Sequence, residues 1–195
     1  MHIVKATLIG LFFGTFGTTL GGTLGVLSKN NSKKFLSFIL SLASGLMMSI
    51  ICFDLIPEAL EISNLSNVLV SILVGIFAMI YCDLLVERKF NSKSINLGPQ
   101  KLSSLLKTGI VISIGLAIHN FPEGLAIGSG YESSIKLGLS LAIAIAIHDI
   151  PEGISMAVPM KNGGMKTSKI LLYVFLSGVT TGLGALVRCY NWFYI

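Results

Sequence analysis

Ala144-Ile145-Ala146-Ile147-His148-Asp149-Ile150-Pro151-Glu152-Gly153 is the stretch on which the reading of this sequence turns. It lies inside an apolar run over residues 135–158, long enough to cross about 30 Å of hydrocarbon as a helix. Ionisable side chains at such depth are costly, and they normally face a bundle interior or a water-filled pathway. The preceding apolar run, residues 108–130, repeats the pattern as Gly115-Leu116-Ala117-Ile118-His119-Asn120-Phe121-Pro122-Glu123-Gly124. Counted from the start of each run, His119 and His148 lie roughly 17–20 Å deep, near the bilayer middle. Consecutive spans run antiparallel, so the two motifs can meet there.

Within each motif the histidine and the glutamate stand at i and i+4, stacked on one helix face. Asn120 and Asp149 lie one residue further round. Each proline lacks an N–H and displaces the carbonyl four residues earlier, which predicts a helix broken at Ile118 and at Ile147. Broken backbone is tolerated at membrane depth only where protein or a wet cavity satisfies it. The pooled donors are two imidazoles, up to three carboxylates and one amide oxygen, a mixed set that suits zinc or iron(II) and admits manganese. One intramembrane histidine with one carboxylate would read as readily as a satisfied packing pair. Two copies in adjacent spans, each with a proline and a further polar residue, favour a metal site. A proton relay is the closest rival, because chains of His and carboxylate also move protons.

Working outward, six candidate spans emerge, at residues 3–27, 35–60, 67–86, 108–130, 135–158 and 168–187. The fold class is therefore all-α, a polytopic transmembrane bundle, read as a single domain over 1–195. Composition agrees: of 195 residues 53% are hydrophobic and 12% charged, against about 25% charged in a typical soluble domain. Mean hydropathy is +0.82. The 21 glycines fit helices packed in lipid, and Gly14, Gly17, Gly21, Gly22 and Gly25 line the first span at spacings that allow close approach. Cys52, Cys82 and Cys189 are far apart and form no Cys-x-x-Cys pair, so they read as small packing residues. The N-terminal run shows no small-residue cleavage site and is taken as a retained span.

The net charge of +5 resides in short loops rather than on a surface that could track phosphates, so nucleic acid is not expected as a partner. Eleven of the fourteen basic residues fall on alternate loops: Lys29, Lys33 and Lys34; Arg88, Lys89, Lys93, Lys101 and Lys107; Lys161, Lys166 and Lys169. Positive charge marks the cytoplasmic side. Residues 87–107 then form a basic cytoplasmic loop, and both termini lie outside a cell membrane that the chain crosses several times. Asp54-Leu55-Ile56-Pro57-Glu58 closes the second span near the outer surface, reading equally as a cation entrance or a solvated helix end. Asp83 and Glu87 read as an interfacial charge cluster beside Arg88 and Lys89.

At these motifs the sequence resembles the ZIP (Zrt- and Irt-like) metal transporters, in particular their short prokaryotic zinc-uptake branch. The resemblance covers most of the chain, is strongest at the two His-x-x-Pro-Glu-Gly segments, and extends more weakly to Ala43-Ser44-Gly45-Leu46-Met47 and Leu55-Ile56-Pro57-Glu58-Ala59-Leu60. It implies eight helices, both termini outside, a variable cytoplasmic loop after the third helix, and a binuclear metal site between the fourth and fifth. By motif position it assigns His119, Glu123, His148, Asp149 and Glu152 to that site, with Asn120 as a bridging or second-metal ligand and Met47 beside the first metal. Transport of a divalent metal into the cytoplasm by alternating access is the implied function. Zn2+ is the expected substrate, and Fe2+, Mn2+ and Cd2+ are alternatives.

Two departures from the family pattern stand out. The family's sixth helix carries Ser-Gly-x-x-Glu, whereas Ser177-Gly178-Val179-Thr180-Thr181 places threonine at the glutamate position, which weakens or removes a second metal site. The chain also ends at Ile195 after about six spans, with nothing resembling the family's last two helices. A truncated protein that binds metal without transporting alone is therefore an alternative. An intramembrane zinc metalloprotease is a weaker one, because those enzymes favour His-Glu-x-x-His and here Asn120 or Asp149 follows the histidine. The chain is not expected to be an enzyme. A homodimer is compatible with the sequence, which leaves the oligomeric state open.

Overall fold

The computed structural model describes residues 2–28, 33–91 and 100–191. The described chain is helical between short connections: α1 (His2–Leu27), α2 (Lys33–Ile50), a π-helical turn (Ile51–Leu55), α3 (Ile56–Ile62), α4 (Leu65–Asn91), α5 (Gln100–Ser133), α6 (Ile135–Asn162) and α7 (Thr167–Asn191). The all-α polytopic bundle is as expected. Helices α1, α5, α6 and α7 each hold a segment long and apolar enough to cross a bilayer, and α4 adds a shorter apolar stretch, Leu65–Tyr81. The second expected span is one helical path through α2, the π turn and α3. Pro57 has no N–H to offer the Phe53 carbonyl four residues earlier, and the widened turn lies at that point.

Two expectations need correction. Residues 87–107 are not a loop throughout: α4 continues to Asn91 and α5 begins at Gln100, and residues 92–99 lie outside the described residues. Nor are the motif helices broken, since α5 runs on past Pro122 and α6 past Pro151 and Pro159. Each proline removes one donor, and the neighbouring backbone hydrogen bonds and the surrounding packing carry the helix through.

Helix α6 is the centre of the bundle, packed by α1, α2 and α5, and every residue from Pro151 to Met160 is buried. Helix α7 closes the group against α1 and α5. The first helix shows why two apolar faces coexist. Val4, Leu8, Phe12, Phe16, Leu20 and Leu24, four residues apart, are exposed on the lipid side, while Gly10, Gly14, Gly17, Gly21 and Gly25 face the bundle and are buried. A Cβ on Gly17 would fall 2.8 Å from Asp149 Cβ, and one on Gly153 would fall 2.7 Å from the Gly22 nitrogen. The α1–α6 contact is thus made backbone to backbone, which only glycine permits.

The α5–α6 hairpin sets the depth of both motifs. Ser134 caps α6 by accepting a hydrogen bond from the Leu137 N–H at 3.1 Å, and Gly138 tucks beneath Tyr131. His119 precedes Ser134 by 15 residues and His148 follows it by 14, so two antiparallel arms of nearly equal length bring the histidines close to one level. At the other end of α6 a tight turn through Gly164, with φ 81°, leads into α7.

Candidate metal centre

Glu123 of α5 is the hub of the site. Its Oε1 stands 2.9 Å from His148 Nε2 on α6 and 3.3 Å from His119 Nε2 one turn earlier on α5. His148 Nε2 is also 3.6 Å from Asp149 Oδ1. Two triads, each of whose ligand atoms lie within 4.8 Å of one another, share this carboxylate: His119–Glu123–Glu152 and Glu123–His148–Asp149. The structure therefore gathers all five histidine and carboxylate residues expected from sequence. Ligands at about 2.0 Å around a tetrahedral zinc stand about 3.3 Å apart. The contacts of 2.9, 3.3 and 3.6 Å lie near that spacing, and the triads' other atoms, within 4.8 Å, would draw in around an ion.

Burial makes the cluster chemically demanding. His148 and Asp149 are fully buried, Glu123 and Glu152 nearly so, and only His119, 38% exposed, opens toward the edge of the bundle. Glu123 Oε2, Glu152 Oε2 and both oxygens of Asp149 have no hydrogen-bond partner. Transferring an ionised carboxylate out of water costs several kcal/mol even after relaxation. Three of them at mid-span require protons or a cation, and the mixed imidazole and carboxylate donors could hold a divalent transition metal.

The remaining expected ligands fare differently. Asn120 is fully buried, but its amide Nδ2 reaches across to α7, donating to the Ser177 carbonyl at 3.1 Å and lying 3.4 Å from Ser177 Oγ. Its Oδ1 has no partner. Met47 lies on α2, and its side chain falls outside the described residues, as do those of Asp54, Asp83 and Glu87. Glu58 accepts a hydrogen bond from Ser133 Oγ at 2.6 Å, tying α3 to the end of α5. Thr181 is fully buried, its Oγ1 without a hydrogen-bond partner, at the position where a Cβ on Gly14 would come within 2.6 Å. Sequence reasoning named Ser177 only as part of a family pattern; its contact with Asn120, 57 residues away, left no local signal.

A multi-pass helical membrane protein with a buried knot of imidazoles and carboxylates between two paired helices is the class these features define. The family described as ZIP Zinc transporter matches residues 91–190, the segment that carries both motifs. The zinc transporter ZupT of Streptococcus mutans serotype c is 33% identical over 207 aligned positions, which take in 100% of this chain and 76% of that protein. Zinc transporters ZupT of Salmonella paratyphi A and Salmonella newport are 32% identical over 112 positions, covering 56% of this chain and 44% of each relative. The chain belongs to the ZIP family.

Proposed function

We propose that this chain carries divalent transition-metal ions, zinc foremost, across a cell membrane into the cytoplasm. Its relatives are named as zinc transporters, and the observation that carries the reading here is the pair of buried triads sharing Glu123. His119 and His148 supply imidazole nitrogen; Glu123, Asp149 and Glu152 supply oxygen and negative charge; Asn120 and Met47 are the further ligands. Both termini lie outside, and residues 87–107 lie on the cytoplasmic side, following the distribution of lysine and arginine.

The chemistry asks for an ion that exchanges its water for fixed ligands and then leaves again. His119, on the half-open edge, is the first ligand to meet an arriving ion, and the buried oxygens of Asp149 draw it inward. Midplane binding between helices that open alternately to the two sides is a general transporter solution, and here α5 and α6 are the helices that must do so. The same donor set accepts Fe2+, Mn2+ or Cd2+ with altered affinity.

Radioactive zinc uptake into lipid vesicles containing the purified chain tests the proposal, with empty vesicles and a His148→Ala chain as controls. Uptake above both controls supports it. Uptake equal to empty vesicles by a chain that binds zinc tightly would replace transport with metal binding alone.

A further inference from the structure

We infer that Ser177 is a positioning residue that turns Asn120 so that its amide oxygen, and not its NH2 group, is presented to the metal site; this rests on the function proposed above. The Ser177 carbonyl can only accept, so the group facing it at 3.1 Å must be the Asn120 NH2. Ser177 Oγ, 3.4 Å from the same nitrogen, offers a second acceptor. The oxygen on the other branch of the amide is thereby turned away from α7, and it is buried and unpaired. Asn120 stands three residues before Glu123, on the same flank of α5, and adjoins His119. An amide free to rotate could turn its NH2 toward the site; one held by α7 presents its oxygen before any cation arrives.

The surrounding structure holds this arrangement in place. Thr180 Oγ1 also donates to the Ser177 carbonyl, at 2.6 Å, so that oxygen accepts from a side chain of α7 as well as from Asn120 of α5. Helices α5 and α7 approach closely enough for the bond because Gly124 and Gly184 face each other's backbones. A Cβ on Gly124 would lie 2.9 Å from the Ala185 nitrogen, and one on Gly184 2.9 Å from the Leu125 nitrogen. Ser177 and Asn120 are both essentially without exposed surface, so water does not compete for the amide. A helix bearing none of the histidine or carboxylate ligands thus sets the oxygen content of the site, and with it the preference between harder and softer metals.

The test is a double-mutant cycle read by zinc and manganese affinities of the purified full chain. Asn120→Ala removes an oxygen donor and lowers Mn2+ affinity more than Zn2+ affinity. Ser177→Ala keeps the main-chain carbonyl and removes only the Oγ acceptor. It therefore lowers the Mn2+ to Zn2+ affinity ratio by about threefold, the size of one neutral hydrogen bond, and an unchanged ratio would overturn the inference. In the Asn120→Ala background Ser177→Ala changes nothing further, because it acts through the amide. Equal losses in both backgrounds would show Ser177 to be merely structural and overturn the inference. A metal-free measurement stands beside it: the Asn120 side-chain amide protons, assigned by their disappearance in Asn120→Ala, are protected from exchange in the parent and exchange faster in Ser177→Ala. Unprotected protons in the parent would also overturn it. Protected protons together with an Asn120→Ala chain that binds both metals as the parent does would instead sink the metal reading of the site, and this inference with it.

Discussion

Glu123 Oε1 of α5 lies 2.9 Å from His148 Nε2 of α6, a contact between two fully or nearly buried groups from separate helices. The same oxygen lies 3.3 Å from His119, so one carboxylate joins both imidazoles. Glu152 belongs to one triad only. Glu123→Gln is therefore expected to lower zinc affinity by at least about a hundredfold and Glu152→Gln by at least about tenfold, since even groups that only orient a metal's ligands cost about 10–100-fold when removed. Competition against a fluorescent chelator in detergent measures both. Equal losses would deny Glu123 its shared role.

The glycine contacts predict a sharp contrast in stability. Gly153→Ala places a methyl against Gly22 and the Thr18 carbonyl, so α1 must move away from α6. A substantial drop in the thermal midpoint is expected, at a cost of about 1–3 kcal/mol for overpacking. Gly75→Ala meets nothing within 4 Å and is expected to leave stability unchanged or to raise it by up to about 1 kcal/mol through helix propensity. Thermal unfolding of both variants in one detergent separates packing glycine from incidental glycine; a Gly153→Ala chain as stable as Gly75→Ala would contradict the close α1–α6 contact.

One tightly held metal per chain is expected, with a second weak or undetected. Thr181 is buried and brings a hydroxyl where the family pattern has a carboxylate. Two divalent ions in a low-dielectric site repel strongly, so a missing anion penalises double occupancy first. Thr181→Glu should raise the stoichiometry toward two if the glycine-lined contact with α1 at Gly14 yields to the larger side chain. Equilibrium dialysis with metal analysis decides it, and two tight metals in the unmodified chain would refute the idea.

Orientation is tested by labelling. A single cysteine introduced between residues 92 and 99, in a chain with Cys52, Cys82 and Cys189 replaced by serine, is expected to react with an impermeant maleimide only when the cytoplasmic side is open. Reaction from outside would reverse both the topology and the direction of transport.

Much of this protein follows from local chemistry. Apolar run lengths determine the spans, because a bilayer has a set thickness and a helix a set rise. The i, i+4 spacing puts each histidine beside its glutamate, and the short hairpin at Ser134 brings both motifs to one depth. None of this requires knowing which helix faces which. Relations between helices were decided by tertiary packing. The glycine stripe of α1 showed that something packs closely, but not that α6 and α7 are the partners, since small residues permit approach without choosing a neighbour. The prolines suggested broken helices, yet α5 and α6 run on, because a helix embedded among neighbours tolerates one missing donor. Asn120 looked like one more ligand, and only the placement of α7 shows its NH2 bound to Ser177. Depth along a helix is a property of one chain segment; the direction in which a side chain turns depends on residues far away in sequence.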